Sequence, residues 1–249
     1  MVKTFWEVSM YDIHCHILCG VDDGADTLPE SVEMAQIACD GGTKVIVATP
    51  HSNISEKKQN FWTEDFKNRL TEVQTAINQA RIPVKLLPGQ EILCRGDFIE
   101  HLKSGNLITL NGSRYPLVEF GFTEHSESVL KKLQRLIAEG FVPVVAHPER
   151  YAFVTENFDS LVKLKKMGCL VQINTGSLEG NFGRTAHDLA VKMLSLRLVD
   201  VVASDGHSPF IRTPILADAH EYISERYSTN YAELLLSENP EKILEDKKI

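Results

Sequence analysis

The sequence has no Cys-x-x-Cys pair, no apolar run approaching a membrane span, no glycine-rich nucleotide fingerprint and no excess of basic charge. Each absence removes a class of function. The five cysteines (Cys15, Cys19, Cys39, Cys94, Cys169) are odd in number and irregularly spaced. They read as reduced thiols of a cytoplasmic protein rather than as a disulfide framework or a structural zinc site. The stretch before Tyr11 carries Lys3 and Glu7 but no apolar segment, so neither a signal peptide nor membrane insertion is expected. Lys and Arg number 26 against 34 Asp and Glu, a net charge of −8 that argues against a nucleic-acid surface. A local pair of arginines remains free to hold one phosphate. No Pro/Ser-rich linker or shift of composition divides the 249 residues. One domain is therefore expected across 1–249, with residues 1–10 as an N-terminal extension and 241–249 as a charged, solvated tail.

Against these absences stands a regular alternation. Tyr11 to His16 is a predicted strand, followed by a loop and a helix. Thr27 and Glu30 form a capping box, Pro29 sits near the first helical position, and Gly41-Gly42 stops the helix. The β-branched run 44–48 then ends in Thr49-Pro50-His51. Further strands are expected at 84–87, 116–120, 142–146, 170–174 and 199–203. Between them come helices near 63–77 (capped by Thr63), 97–102, 126–138, 158–167 and 185–196, and two more, near 214–227 and 231–236, close the chain. Seven strands each leading into a helix imply a parallel sheet, closed or nearly closed into a barrel. A doubly wound open sheet is the lesser alternative.

The polar residues fall at particular places in this pattern. His14, His16, His51, Glu91, Glu119, His147, Asp205 and His207 lie at or just past the C-terminal ends of six predicted strands. In a barrel those ends converge on one face, where active sites are built. His14 and His16 are two residues apart on a strand and so point to the same side. Taken singly, a carboxylate ending a strand is usually a helix cap and a histidine there a satisfied edge group. Their concentration points instead to a multinuclear metal site of imidazole and carboxylate, with Glu91 as the central, bridging ligand. Such a site serves hydrolysis. Arg150, three residues after His147, and Arg212, five after His207, favour a phosphate substrate over an amide, because a guanidinium matches a pair of phosphate oxygens. His101, His125, His187 and His220 lie in or beginning predicted helices and receive no role. Phe61, Trp62, Phe120, Phe122 and Tyr151 border the same face, as candidates for holding an aromatic ring or for core packing.

Eight segments occur in order: Asp-Ile-His-Cys-His, Gly-Val-Asp-Asp-Gly-Ala, Ala-Thr-Pro-His, Gly-Gln-Glu-Ile, Val-Glu-Phe, Ala-His-Pro-Glu-Arg-Tyr, Gln-Ile-Asn-Thr-Gly-Ser-Leu and Ser-Asp-Gly-His. Together they resemble the PHP (polymerase and histidinol phosphatase) superfamily. More closely, the chain resembles its manganese-dependent bacterial protein-tyrosine phosphatases of capsule and exopolysaccharide loci. The resemblance implies a distorted (β/α)7 TIM-like barrel with three metal ions, manganese first and iron, zinc or magnesium as alternatives. It implies one metal held by His14, His16, Glu91 and Asp205, a second by Glu91, Glu119 and His147, and a third by Asp23, His51 and His207. Arg150 and Arg212 fall at the phosphate-binding positions, and with His207 make up the expected catalytic set. The implied substrate is the phosphotyrosine tail of a bacterial tyrosine kinase controlling polysaccharide export, attacked by a metal-bound hydroxide.

Two departures from the family pattern bear on the site. Gly206 stands where a larger residue is usual, which is expected to loosen the loop presenting His207. Ser52-Asn53 follows His51 where a basic residue or second histidine is frequent. Three rival functions are weighed beside the phosphotyrosine reading. A small-molecule phosphatase, such as one for histidinol phosphate, keeps the metals and differs in its substrate loops. A metal-dependent amide or lactone hydrolase would not need Arg150 and Arg212. A phosphotyrosine-binding module would not need the full ligand set.

Overall fold

The computed structural model describes residues 9–55 and 59–249; Lys3, Glu7 and residues 56–58 of the loop after His51 lie outside them. Among the described residues nine strands are all paired in parallel: β1 (Met10–Cys15), β2 (Thr43–Ala48), β3 (His51–Ser52), β4 (Lys85–Pro88), β5 (Glu91–Leu93), β6 (Leu117–Glu119), β7 (Val144–Ala146), β8 (Leu170–Asn174) and β9 (Val201–Ala203). They form a three-stranded sheet, β1-β2-β4, and a six-stranded sheet, β3-β5-β6-β7-β8-β9. Two of the seven expected strands are each broken in two. Thr49-Pro50 separates β2 from β3 and Gly89-Gln90 separates β4 from β5. At each break the chain passes from the first sheet to the second, a step a proline at the break favours because it cannot donate to a ladder. Beyond β9, Asp205 N donates to His14 O at 2.8 Å and His16 N donates to Gly206 O at 2.8 Å, so the last strand line meets the first. The architecture is the parallel α/β arrangement expected, with strands in sequence order around it.

Side chains along the strands sort by their period of two. Ile13, Val47, Leu117, Val144, Ala146, Leu170, Val201 and Ala203 share one apolar cluster on the inner side. Ile92, Val118, Val145, Val171, Ile173 and Val202 point the other way into the cluster that the helices cover. The inner columns turn polar at their C-terminal ends: Leu117 leads to Glu119, Leu170 to Gln172 and Asn174, and Val201 and Ala203 to Asp205. The same alternation that fills the core therefore delivers the polar residues to one end.

The expected helices form at 126–138 and within one to three residues elsewhere, except near the C-terminus, and two short helices that were not expected, Ala152–Glu156 and Thr175–Leu178, are added. The first helix, Leu28–Asp40, is capped by Thr27, whose Oγ1 accepts from Glu30 N, while Glu30 accepts from Asp26 N rather than from Thr27. Thr63 precedes its helix without a side-chain cap. The expected solvated tail is corrected: Asn239–Leu244 is helical, Ile243 and Leu244 are buried against the inner cluster, and Arg114 pairs with Asp246 at 2.9 Å. Met10, placed in the N-terminal extension by sequence, is a buried residue of β1. Ile243 and Leu244 close the end of the strand assembly remote from the histidines.

Candidate metal centre

All nine residues expected to bind metal converge at the C-terminal ends of the strands. Their donor atoms form four overlapping groups, each within 4.8 Å: His16, Asp23, His51 and His207; His14, His16 and Asp205; His14, Glu91 and His147; His51, Glu91 and Glu119. His14 Nε2 and His16 Nε2 are 3.3 Å apart. Each lies 3.4 Å from Asp205 Oδ1, and they lie 3.3 and 3.4 Å from Glu91 Oε2. Separations of this size are those of neighbouring ligands around one ion. Compared with the three sets that the resemblance implies, the sharing is closer. His16 also joins Asp23, His51 and His207, and His51 stands with Glu91 and Glu119, 3.2 Å from Glu119 Oε1. Register explains part of this, because His51 and Glu91 are direct partners across β3 and β5.

The polar atoms themselves fit a cation. His51 Nδ1 and Glu91 Oε2 face each other at 2.8 Å, yet both are buried without a hydrogen-bond partner, as is His207 Nε2. A lone pair aimed at a carboxylate is costly unless a positive charge lies between them. The ionisation pattern has the same cause. Burial pushes the His14, His16 and His51 imidazoles down, but neighbouring carboxylates more than reverse it. Asp22 holds His16 well above the ordinary range, and Glu91 brings His51 to about 10. Glu91 and Asp205 stay well below the carboxylate range despite burial, chiefly through His14. Burial raises Glu119, with Glu91 adding to it, and burial followed by the His16 charge lowers His207 to about 3. Without cations, protons on the imidazoles supply the countercharge that divalent ions would provide.

A second layer fixes these ligands, and sequence reading missed most of it. Gln172 Oε1 contacts His14 Nδ1 at 2.9 Å and Asp22 Oδ2 contacts His16 Nδ1 at 2.6 Å, leaving both Nε2 atoms directed inward. Asp22 also accepts from His51 N. Asp12, buried in β1, accepts from Ser204 N, Ser204 Oγ and His14 N, tying the start of the Asp205 loop to the first strand. The available signal was alternation: Asp12, Gln172 and Asn174 are polar residues spaced by two within strands otherwise apolar. His147, Asp205 and Arg212 all adopt the left-handed region, with φ of 35°, 54° and 56°. Non-glycine residues held there commonly mark functional loops.

The Gly206 departure has the opposite effect to that expected. A Cβ on Gly206 would lie 2.9 Å from Pro214 Cβ and 3.0 Å from Ser204 Oγ. Gly206 N donates to Ser204 Oγ, and its carbonyl accepts from His16 N. The loop is tight, and glycine is what permits its packing. Ser52 and Asn53 are also structural: Ser52 Oγ donates to Glu91 O, and Asn53 Nδ2 donates to Leu93 O and Arg95 O. They staple β3 to the β5 line.

Both arginines reach the centre through Asp205. Its Oδ2 accepts from Asn174 Nδ2 at 2.6 Å and from Arg150 at 3.4 Å, and pairs with Arg212. The two guanidiniums also share the face of Phe182, at 4.2 Å for Arg150 and 5.4 Å for Arg212. Arg150 is flanked on its other side by Phe122 at 4.8 Å. Phe120 and Tyr151, by contrast, are buried core residues, and Phe61 packs against His101.

Comparison with known proteins agrees with this geometry. The family described as capsular polysaccharide synthesis, CpsB/CapC, matches residues 10–245. The chain belongs to the CpsB/CapC family. Relatives of this CpsB/CapC chain include tyrosine-protein phosphatase YwqE of Bacillus subtilis, 34% identical over 96% of this chain and 93% of the relative. Tyrosine-protein phosphatase CpsB of Streptococcus pneumoniae is 32% identical over 96% of this chain and 100% of the relative. A solved structure from work on YwqE and S. pneumoniae CpsB, described as unique metal-dependent tyrosine phosphatases, superposes with a TM-score of 0.89. It is 32% identical and covers 96% of both chains. The phosphotriesterase homology protein of Escherichia coli superposes with a TM-score of 0.58 at 12% identity, over 97% of this chain and 100% of that one; the likeness is one of fold.

Proposed function

We propose that this CpsB/CapC-family chain is a metal-dependent protein-tyrosine phosphatase, folded as one catalytic unit. The observation that carries the reading is Asp205. One of its oxygens faces His14 and His16 in the donor cluster, and the other holds Arg150 and Arg212. A single carboxylate thus sets the guanidinium pair beside the ligands, where a phosphoryl group would meet both. The names of the relatives supply phosphotyrosine as the substrate.

Bound divalent ions would supply Lewis acidity and an activated water at neutral pH. His14, His16, Asp23, His51, Glu91, Glu119, His147, Asp205 and His207 would hold them; imidazole with carboxylate suits manganese, iron or zinc, and manganese is put first because the family resemblance implies it, with magnesium a further alternative. Arg150 and Arg212 bind the non-bridging phosphoryl oxygens and stabilise their charge as the ester bond breaks. Gln172 and Asp22 keep the His14 and His16 tautomers fixed. Phe182 supports the two arginines from below. The protein substrate is a phosphotyrosine segment of a cytoplasmic tyrosine kinase in capsule or exopolysaccharide synthesis. No helix among the described residues is long and apolar enough to cross a membrane.

The test is phosphate release by metal-stripped, manganese-restored protein from a phosphotyrosyl peptide and from histidinol phosphate. A strong preference for the peptide, abolished by chelation, is the expected result. Preference for histidinol phosphate would keep the centre and reassign the substrate, and release from neither would remove the phosphatase reading.

A further inference from the structure

Two of the few exposed large hydrophobic side chains of the described residues sit side by side in the loop between His207 and Arg212. Phe210 and Ile211 are each 75% exposed. They immediately precede Arg212 and follow the ligand His207 by three and four residues. Single exposed apolar residues are ordinary, but an adjacent pair on a fixed loop is not required by the fold.

The loop is fixed by its own hydrogen bonds. Ser208 Oγ accepts from Phe210 N at 3.2 Å and from Ile211 N at 2.9 Å, and the same hydroxyl lies 2.9 Å from Ile211 O. His207 N donates to Arg212 O at 2.8 Å. Neither apolar side chain is needed to hold that shape, so their exposure brings the folded chain no compensating burial. A cavity of about 490 Å³ runs beside them, with Phe210, Ile211 and Arg212 on one wall and Gly176, Glu179 and Phe182 on another. Arg212 lines it, as does Phe182, the ring that both guanidiniums face.

From this we infer that Phe210 and Ile211 form a docking platform for the polypeptide that carries the phosphotyrosine, receiving an apolar side chain near it in sequence. The inference rests on the phosphatase reading and deepens it. With the phosphate held at Arg212, an extended substrate advancing ~3.4 Å per residue places a side chain about two residues away over Ile211 and Phe210. A small phosphate ester reaches the arginines without touching the platform. The platform therefore favours a peptide over a small molecule, and an apolar-flanked phosphotyrosine over a polar-flanked one.

The experiment compares wild type with the double variant F210S/I211S, each loaded with manganese. Three substrates are used: a phosphotyrosyl peptide with apolar flanking residues, the same peptide with glycine and serine flanks, and a small aryl phosphate. The exposed positions leave folding intact. For the apolar-flanked peptide, KM is expected to rise by about tenfold in the variant with kcat little changed, as for loss of uniform binding. The wild-type preference for apolar over polar flanks should vanish at the same time. An unchanged KM for that peptide, or an equal loss on all three substrates, would overturn the proposal while leaving the phosphatase intact. Release from none of the three by wild type would overturn the phosphatase reading and this inference with it. Light scattering and vesicle sedimentation on the same samples complete the test. Loss of a dimer, or of vesicle binding, in the variant without a KM change would assign the pair to self-association or a membrane and overturn the proposal.

Discussion

Gln172 meets the far nitrogen of His14, which decides which nitrogen faces inward, and its amide donates to Asn174, which in turn holds Asp205. Gln172→Ala is expected to weaken manganese binding by about 10–100-fold, the usual cost of removing such a partner, read by titration of stripped protein. Phe182 acts on the arginines in a comparable way. Phe182→Ala should raise KM for phosphotyrosyl peptide by about tenfold, Phe182→Trp should largely preserve it, and Phe182→Leu should resemble alanine if the ring face matters. His51 yields a pH prediction for the stripped protein. Its folded-state pKa is raised from 6.5 to about 10, so its contribution to stability is complete below 6.5 and is lost as pH rises through 10. Urea midpoints of chelated protein should therefore fall across that window, whereas manganese-loaded protein, with His51 already deprotonated, should lack this decline. Eight of the nine candidate ligands were legible in the sequence because they stand at or just past the ends of apolar runs, whereas Asp23, in the loop after the first strand, came only with the family resemblance. Gln172 and Phe182 were not legible, because a polar residue inside a strand and an aromatic one in a loop have commoner explanations when their neighbours in space are unknown.

At the scale of elements, the site depends on breaks in strands as much as on strands. Gly89 lies between β4 and β5, where a Cβ would come within 2.6 Å of Val47 Cγ1 and 3.2 Å of Thr49 Cγ2. Gly89→Ala should cost about 1–3 kcal/mol in denaturant unfolding and displace Glu91, two residues on, lowering activity beyond the loss of stability. Neither break was legible beyond a proline at each strand end. Periodicity shows that a run is extended, but not that its two halves pair in different sheets. The same limit explains the C-terminus: charges at 241–249 read as a solvated tail, while only the fold shows that Ile243 and Leu244 join the apolar cluster of Ile13, Leu110 and Tyr115. Gly206 illustrates the reverse. Its small size suggested slack, and only the approach of Pro214 shows that it permits close packing.

For the whole molecule, alternation of strand and helix was sufficient to place the ligands of six strands on one face, because parallel pairing leaves all C-terminal ends on the same side. The net charge of −8 does not oppose the proposed anionic substrate, since Arg150 and Arg212 would meet it locally and the cluster would hold divalent cations. Titrating manganese into chelator-stripped wild type and His14→Ala protein, while following phosphate release from a phosphotyrosyl peptide, checks the proposed dependence of release on ions held by this nine-residue cluster. The expected result is more than one ion per wild-type chain, release that rises with occupancy, and loss of both an ion and most of the release in His14→Ala. Full release by stripped protein, or the same stoichiometry and rate in His14→Ala, would contradict it.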